Sequence, residues 1–192
     1  MINKILVLLI LNLSFINLAK SEDIKDFQIE SISVGDKLNT HISDKVLKNG
    51  RKYSFKSPEY VSYEFAKDDF ESDFVKFYDN IMLAVNNRNI IESVGGLIFY
   101  PDNIAACREE QSKVKNEIEK LFPNYRFVPY EHNHRADKTG KSIVYGESIN
   151  IDQHQITIQC FDWNNKKLGF TDNLRVSIRT DEYNLFLRDK AF

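Results

Sequence analysis

Hydrophobic and polar residues alternate in the last third of the chain. In "HQITIQCFDW" the side chains of Ile156, Ile158 and Cys160 share one face, and in "DNLRVSIRT" those of Leu174, Val176 and Ile178 do. The opposite faces carry Thr157, Gln159, Arg175, Ser177 and Arg179. This period of two predicts two β-strands around the turn "NNKKLG", in a sheet that is buried on one side and hydrated on the other.

Earlier segments also have the pattern of strands. The segments "YRFVPYEHN" and "SIVYGESINI" predict a hairpin, and so do "FVKFYDNIMLAVNN" and "IIESVGGLIFY", which the polar residues 86–89 join. The Gly95-Gly96 pair inside the last segment indicates a bulge or close packing. The alternation of Val61, Tyr63 and Phe65 with polar residues predicts another strand, and "FQIESISVG" is predicted to be the first.

Three segments have the spacing of helices. In "PDNIAACREEQSKVKNEIEKLF" one face carries Ile104, Cys107, Val114, Ile118 and Leu121. Asp102 or Asn103 is the predicted N-cap, and Pro123 prevents continuation. A shorter helix over 36–48 is predicted from the spacing of Leu38, Ile42, Val46 and Leu47, with Asp36 as its cap. Thr180 caps a predicted terminal helix whose Leu185 and Phe186 are expected to pack against the core.

These elements predict an α+β fold. We expect a mainly antiparallel sheet with one long amphipathic helix packed on one face and a shorter N-terminal helix packed nearby. The chain contains no internal repeat, no Pro/Gly/Ser-rich linker and no low-complexity segment that would divide it. Residues 22–192 are therefore predicted to form a single domain, a length sufficient to bury a core.

The N-terminus is predicted to be a secretory signal peptide over residues 1–21. Lys4 precedes an apolar run from Ile5 to Ala19, and Ala19 and Ser21 supply the small side chains of a cleavage site. The run is shorter than the roughly 20 apolar residues of a membrane-spanning helix, although an uncleaved N-terminal anchor remains the alternative. We therefore predict a periplasmic or secreted protein without a stable membrane span after cleavage.

The charge balance excludes one class of partner. Lys4 and Lys20 are the charged residues of the predicted signal peptide, so its removal changes the formal net charge from −2 to −4. Nucleic-acid binding requires clustered Lys and Arg, and such clusters are absent from this mildly acidic sequence. No nucleic-acid partner is predicted, and an envelope protein or a small ligand is the expected class of partner.

The two cysteines are predicted to form a disulfide. Cys107 lies on the apolar stripe of its helix and Cys160 on the apolar face of its strand, so both point into one helix-on-sheet interface. Export to an oxidising compartment and a count of two favour their pairing. A reactive thiol is the alternative, but it needs solvent access and a neighbour that stabilises the thiolate, and buried free thiols are a third possibility.

Histidines give the candidate metal site. His132 and His134 form a His-x-His pair, and His154 follows in the next predicted hairpin. On a strand, this spacing places both imidazoles of the pair on one face, which suits zinc or copper. The alternative is a solvated turn, because no third ligand is fixed by the spacing. No cofactor and no catalytic residue is predicted, since the nucleophile-elbow and H-E-x-x-H motifs are absent.

A binding surface is predicted at a loop tip. Trp163 stands beside Lys166 and Lys167, and an aromatic ring with basic neighbours often marks a contact surface. The alternative is that Trp163 packs on its own sheet. Two functional hypotheses follow: a non-catalytic binding or envelope-interaction module, or a metal-binding protein or hydrolase centred on His132 and His134.

Several segments carry a resemblance to known proteins. Together, "FQIESISVGDKL", "GGLIFYPDNIAAC", "QCFDW" and "DNLRVSI" resemble small exported proteins of marine alphaproteobacteria with AT-rich genomes, which the abundance of Lys, Asn and Ile suits. The resemblance implies that the segments around Cys107 and Cys160 belong to a shared frame, and it implies no activity or cofactor. The shorter "ISVGDKL" is similar to small outer-membrane assembly and inhibitor-like domains, in which such a strand end leads into a capped helix.

Overall fold

Eight strands and three α-helices make up the regular structure of the described residues. The structure, a computed structural model, describes Ile24 and residues 27–70, 74–164 and 166–191, so the predicted signal peptide lies outside the described residues. The strands are β1 (Arg51–Ser54), β2 (Tyr60–Ala66), β3 (Asn80–Asn86), β4 (Ile91–Phe99), β5 (Val128–Asn133), β6 (Ile143–Ile151), β7 (His154–Asp162) and β8 (Asn173–Thr180). The helices are α1 (Asp44–Asn49), α2 (Ile104–Leu121) and α3 (Asp181–Asp189).

All eight strands belong to one antiparallel sheet. Their order is β1-β2-β3-β4-β8-β7-β6-β5, so the last strand of the chain lies between β4 and β7 in the middle of the sheet. The strands are long where the sequence alternates regularly, and the predicted strands of the last third are confirmed. The α+β class is also confirmed, with a sheet that dominates the structure more than the sequence suggested.

One face of the sheet, here called the covered face, holds the main hydrophobic core. It carries the buried side chains of Ile156, Ile158, Leu174, Val176 and Ile178. The long helix α2 packs on this face against β7 and β8, as the sequence predicted. Its Asn103 N-cap accepts a hydrogen bond from the backbone N–H of Ala106 at 3.1 Å.

A disulfide and a buried amide fix α2 to the sheet. Cys107 on α2 is bonded to Cys160 on β7, so the predicted disulfide is confirmed. One turn further along the helix, Gln111 Nε2 donates hydrogen bonds to the carbonyls of Tyr145 and Ile158, at 2.9 and 2.8 Å. The buried amide nitrogen of Gln111 therefore connects α2 to both β6 and β7.

The N-terminal elements differ from the prediction. Residues 27–35 form a tight turn instead of a strand, because Glu30 and Ser31 adopt left-handed backbone conformations with φ of 51° and 65°. The helix predicted over 36–48 is broken into a 3₁₀ turn at Leu38–Thr40 and the short α1. Asp36 does not cap it: its carboxylate accepts from the Ser33 N–H, while the Ser43 side chain caps α1.

The structure confirms the predicted roles of the glycine pair and of Thr180, and it corrects the predicted packing of Leu185. The backbone of Gly96 lies against the Tyr78 ring, so the close-packing interpretation of the glycine pair is confirmed, and the irregular register occurs at Ala84 and Val85. The Thr180 side chain caps α3 as predicted. Phe186 is buried, but Leu185 is 50% exposed and does not pack against the core.

The disulfide gives the first testable prediction. Replacing both cysteines, Cys107→Ala with Cys160→Ala, opens a loop with a sequence separation of 53 residues. The chain-entropy model then predicts a loss of about 4 kcal/mol in the free energy of unfolding. Urea denaturation of both proteins measures the loss, and a thiol assay on denatured, unreduced wild type should find no free thiol. Two titratable thiols, or an unchanged denaturation midpoint, would contradict the disulfide's role.

Candidate functional site

The second face of the sheet, here called the polar face, is the candidate site. The strand registers place one row of side chains across six strands on this face: Glu64, Met82, Gly95, Ser177, Thr157 and Ser148. The neighbouring rows add two arginines from β8, Arg175 and Arg179, with their cross-strand partners Gln159 and Gln155. The period of two in β8 explains this arrangement, because Leu174, Val176 and Ile178 point to the covered face.

Two aromatic clusters bound the polar face. At one end α3 packs Tyr183 and Phe186 on Tyr60 and Ala84. At the other end Trp163 packs with Val144 and Phe161. The two ends of β8 are seven residues apart, which corresponds to about 23 Å of strand. Between the clusters the face carries polar side chains, and most of the longer ones are half-buried.

Arg175 is a half-buried cation without a counterion among the described residues. Its guanidinium lies over the Phe161 ring, with Cζ 4.7 Å from the ring centroid. Its Nε is buried and has no hydrogen-bond partner in the described chain. Burial lowers the pKa of Arg175 to about 10, although the negative charge of Glu64 acts in the opposite direction. The guanidinium has lost water, and the carboxylate of Glu64 offsets this loss only in part.

Arg179 lies on the same face of β8, beyond Ser177, and it is also a half-buried cation. Its Nη2 donates to the Thr157 hydroxyl at 3.3 Å, and its Nε is also buried without a described partner. Burial lowers the pKa of Arg179 as well. Thr157 and Ser177 share a hydrogen bond between their hydroxyls at 2.8 Å. The groups closest to Arg179 are therefore neutral and already hydrogen-bonded.

The residues opposite the arginines on adjacent strands are all neutral. Arg175 pairs with Gln159 on β7 and Leu97 on β4, and Arg179 pairs with Gln155 and Ser93. The carboxylate of Glu64, further across the sheet, accepts hydrogen bonds from the Tyr53 hydroxyl and Asn80 Nδ2, each at 2.7 Å. Both cations consequently lack the cross-strand acidic partner that normally compensates a half-buried arginine.

Tyr130 closes the β5 side of the polar face. Its ring lies directly on Gly146, where a Cβ atom would come within 2.1 Å of the Tyr130 ring. The phenol accepts a hydrogen bond from Gln159 Nε2 at 2.8 Å. Burial raises the pKa of Tyr130, so the hydroxyl is neutral and keeps its own proton free to donate. Gln159 thus lies opposite Arg175, and the Tyr130 phenol is near enough to Arg179 to affect its charge.

The structure does not bring the three predicted metal ligands together. His132 is exposed on β5, and His134 packs at a tilt against Trp163 with ring centroids 4.2 Å apart. His154 begins β7, seven residues before Phe161, which separates it from the pair by about 23 Å along the strand. In the described part of the chain, no group of three or more His, Cys, Asp or Glu side chains is placed to hold a metal ion.

The predicted exposure of Trp163 is wrong. The indole is only 7% exposed, because His134 and Phe170 cover it and Phe161 stacks beside it. The alternative interpretation, that this tryptophan packs on its own sheet, is confirmed. Lys167 is exposed beside it, whereas the side chain of Lys166 lies outside the described structure. The indole of Trp163 is therefore not available as the aromatic residue of a contact surface at this loop tip.

The sequence places Arg175 and Arg179 on the hydrated side of their strand, and this position alone does not mark them as a site. Their spacing of four residues in a period-two strand places both on one face, without an acidic residue between them. What the sequence does not show is that their cross-strand neighbours are neutral, because this depends on the registers of β4, β7 and β8.

Removing the Arg175 charge is expected to stabilise the protein. The variant Arg175→Met keeps an apolar side chain on Phe161 and eliminates an uncompensated cation, so the free energy of unfolding should rise by about 1 kcal/mol. Arg108→Met is the matched control, since Arg108 is exposed but also lies over an aromatic ring, 4.2 Å from the Tyr145 centroid. Chemical denaturation compares the two, and a larger loss for Arg175→Met than for the control would contradict this account.

Acid should weaken the fold through His134. Burial, together with the positive charges of Arg175 and His132, lowers the pKa of His134. A depressed pKa means that the neutral imidazole stabilises the fold above the unfolded pKa of about 6.5, and that this stability is lost as the pH falls below it. His134→Phe keeps the ring on Trp163 but cannot titrate.

Denaturation curves between pH 7.5 and 5 measure this effect. The wild type should lose more stability than His134→Phe, with an excess slope below the single-proton value of about 1.4 kcal/mol per pH unit. The same substitution at the exposed His132 serves as the control and should reduce the wild-type slope only partly, because burial, the largest cause of the low His134 pKa, remains. Parallel losses in the wild type and His134→Phe would show that His134 does not contribute.

Comparisons with known proteins leave the polar face without a precedent. No protein-family model, curated protein or solved structure matches the chain. Within the described residues, none of the helices combines the length and the apolar character that a membrane crossing requires.

Proposed function

We propose that this protein is an exported, non-catalytic binding module whose ligand lies on the polar face. The observation that carries this proposal is the half-buried arginine pair, which has no counterion among the described residues. An ordinary structural surface would place Glu or Asp at the neutral positions opposite these cations, because such pairs stabilise a sheet. A face that keeps the arginines uncompensated is typical of a site that is completed by a ligand.

The disulfide supports the export component of the proposal. A bond between Cys107 and Cys160 is stable in the periplasm or outside the cell, whereas cytosolic thiols are kept reduced. The apolar N-terminal run, from which the sequence predicts a signal peptide, supports the same compartment. Envelope components and small solutes of that compartment are accordingly the partners we propose.

The architecture supports binding more than chemistry. Side chains at the centre of the polar face are fixed by neighbours, as in the hydroxyl pair of Thr157 and Ser177 and the bond from Gln159 to Tyr130. A rigid sheet with preformed donors binds without a large loss of side-chain entropy. These groups supply charge and hydrogen bonds, which orient a ligand, and we assign none of them the role of nucleophile.

Filling the polar face should abolish binding. In Met82→Trp a large ring replaces a half-buried side chain next to Gly95, so it should occupy the centre of the face. The purified protein is incubated with a small-molecule extract of bacterial envelopes and examined by native mass spectrometry. We expect a bound species with the wild type and its loss, by at least about tenfold in occupancy, with Met82→Trp.

The control places the same ring elsewhere on the sheet. Glu131→Trp lies on the exposed strand β5 opposite Tyr145, which is on the other side of the sheet. This variant should keep the bound species, and near-ultraviolet circular dichroism confirms that both variants fold. The proposal is contradicted if no species binds the wild type, or if Met82→Trp retains it.

A further inference from the structure

We infer that Arg175 and Arg179 form a recognition site for an oxyanion, either a phosphoryl or a carboxylate group of the ligand. The inference rests on the proposed function and assigns the chemical class that the polar face recognises. A guanidinium offers a planar fork of N–H donors, and its strongest partners are the oxygens of phosphate and carboxylate groups. Both arginines retain donor capacity that no described residue uses.

The charges around the pair exclude the other ligand classes. A cationic ligand would meet two guanidinium groups whose nearest cross-strand partners, Gln159 and Gln155, are neutral. A neutral ligand could accept hydrogen bonds but would leave the cations uncompensated in a partly dehydrated position. An oxyanion supplies both the acceptors and the missing charge, so it gains most from this environment.

The orientation of Arg175 also suits an oxyanion. The guanidinium Cζ lies over the Phe161 ring, 4.7 Å from the centroid, and this contact restrains the position of the group. Because the Nε of Arg175 is buried, a bound anion meets the guanidinium at its Nη groups. Gln159 is directly opposite on β7 and borders the same position.

Arg179 adds a second positive charge to the site. Its own environment contains the phenols of Tyr130 and Tyr183, which are near enough to affect its charge, and the Thr157 hydroxyl that accepts from Nη2. The two arginines also repel each other, since the charge of Arg179 disfavours the charged form of Arg175. An anion between or beside them removes this repulsion, so each arginine should contribute to its affinity.

NMR spectroscopy of the arginine side chains tests the oxyanion site directly. Resonances of the guanidinium Nε–Hε groups are recorded while sodium phosphate or sodium citrate is added, and sodium chloride at the same ionic strength serves as the reference. We expect saturable shifts at Arg175 and Arg179, with no saturable shift at the exposed Arg108. Whichever of phosphate and citrate binds more tightly identifies the phosphoryl or the carboxylate source.

Two variants separate recognition from structure. Arg175→Met should weaken oxyanion binding by about tenfold or more, the range expected for one charge-assisted hydrogen bond. Gln159→Glu leaves Arg175 in place but supplies an internal carboxylate opposite it. The carboxylate can accept a hydrogen bond from the Tyr130 hydroxyl, which reverses the direction of the wild-type bond from Gln159 Nε2 to Tyr130. Gln159→Glu should therefore lose oxyanion affinity while its denaturation midpoint rises, a combination that simple misfolding cannot produce.

The outcomes distinguish this inference from the proposed function. Shifts with phosphate and citrate that only follow those of sodium chloride, or that occur equally at Arg108, would overturn the oxyanion site. In that case the native mass spectrometry experiment would still test the proposed function. If an envelope species binds the wild type but not Met82→Trp, the protein is a binding module whose ligand is neutral. Saturable binding that survives both Arg175→Met and Gln159→Glu would also overturn the assignment to these arginines.

Discussion

The packing of α2 on β7 and β8 is the contact on which the rest of the structure depends. It closes the hydrophobic core on the covered face, and the Cys107–Cys160 bond and the two hydrogen bonds of Gln111 hold it in register. A sheet needs only one buried face to be stable, so this contact allows the other face to remain polar. The central strands β7 and β8 therefore serve the core on one side and the candidate site on the other.

This division explains why the arginines stand on β8. The strand is paired on both sides, by β4 and β7, and its alternate residues Leu174, Val176 and Ile178 are buried. A one-residue slip would move those apolar side chains into the polar face, so the register is strongly specified. Arg175 and Arg179 are consequently positioned by the best-anchored backbone of the molecule, which suits a preformed binding site better than a loop would.

The sequence predicts the elements that obey a simple period. Strands β6, β7 and β8, the helix α2 and the disulfide followed from the spacing of residues such as Ile158 and Cys107. The N-terminal segment could not be predicted in this way, because the left-handed conformations of Glu30 and Ser31 interrupt a β-rich sequence without a glycine. Trp163 was misjudged because its covering residues, His134 and Phe170, come from two separate connections.

The stability that the disulfide contributes on the covered face is comparable to the cost of the unpartnered arginine N–H groups on the polar face. Leaving a buried N–H group such as the Nε of Arg175 or Arg179 without a partner costs about 1–3 kcal/mol each. The disulfide contributes about 4 kcal/mol in the chain-entropy model, which is of the same order as both arginines together. A domain of this size has a net stability of only about 5–15 kcal/mol, so the arginine pair is tolerable because α2 is covalently fixed to the sheet. The disulfide is therefore a condition for the polar face as well as for the fold.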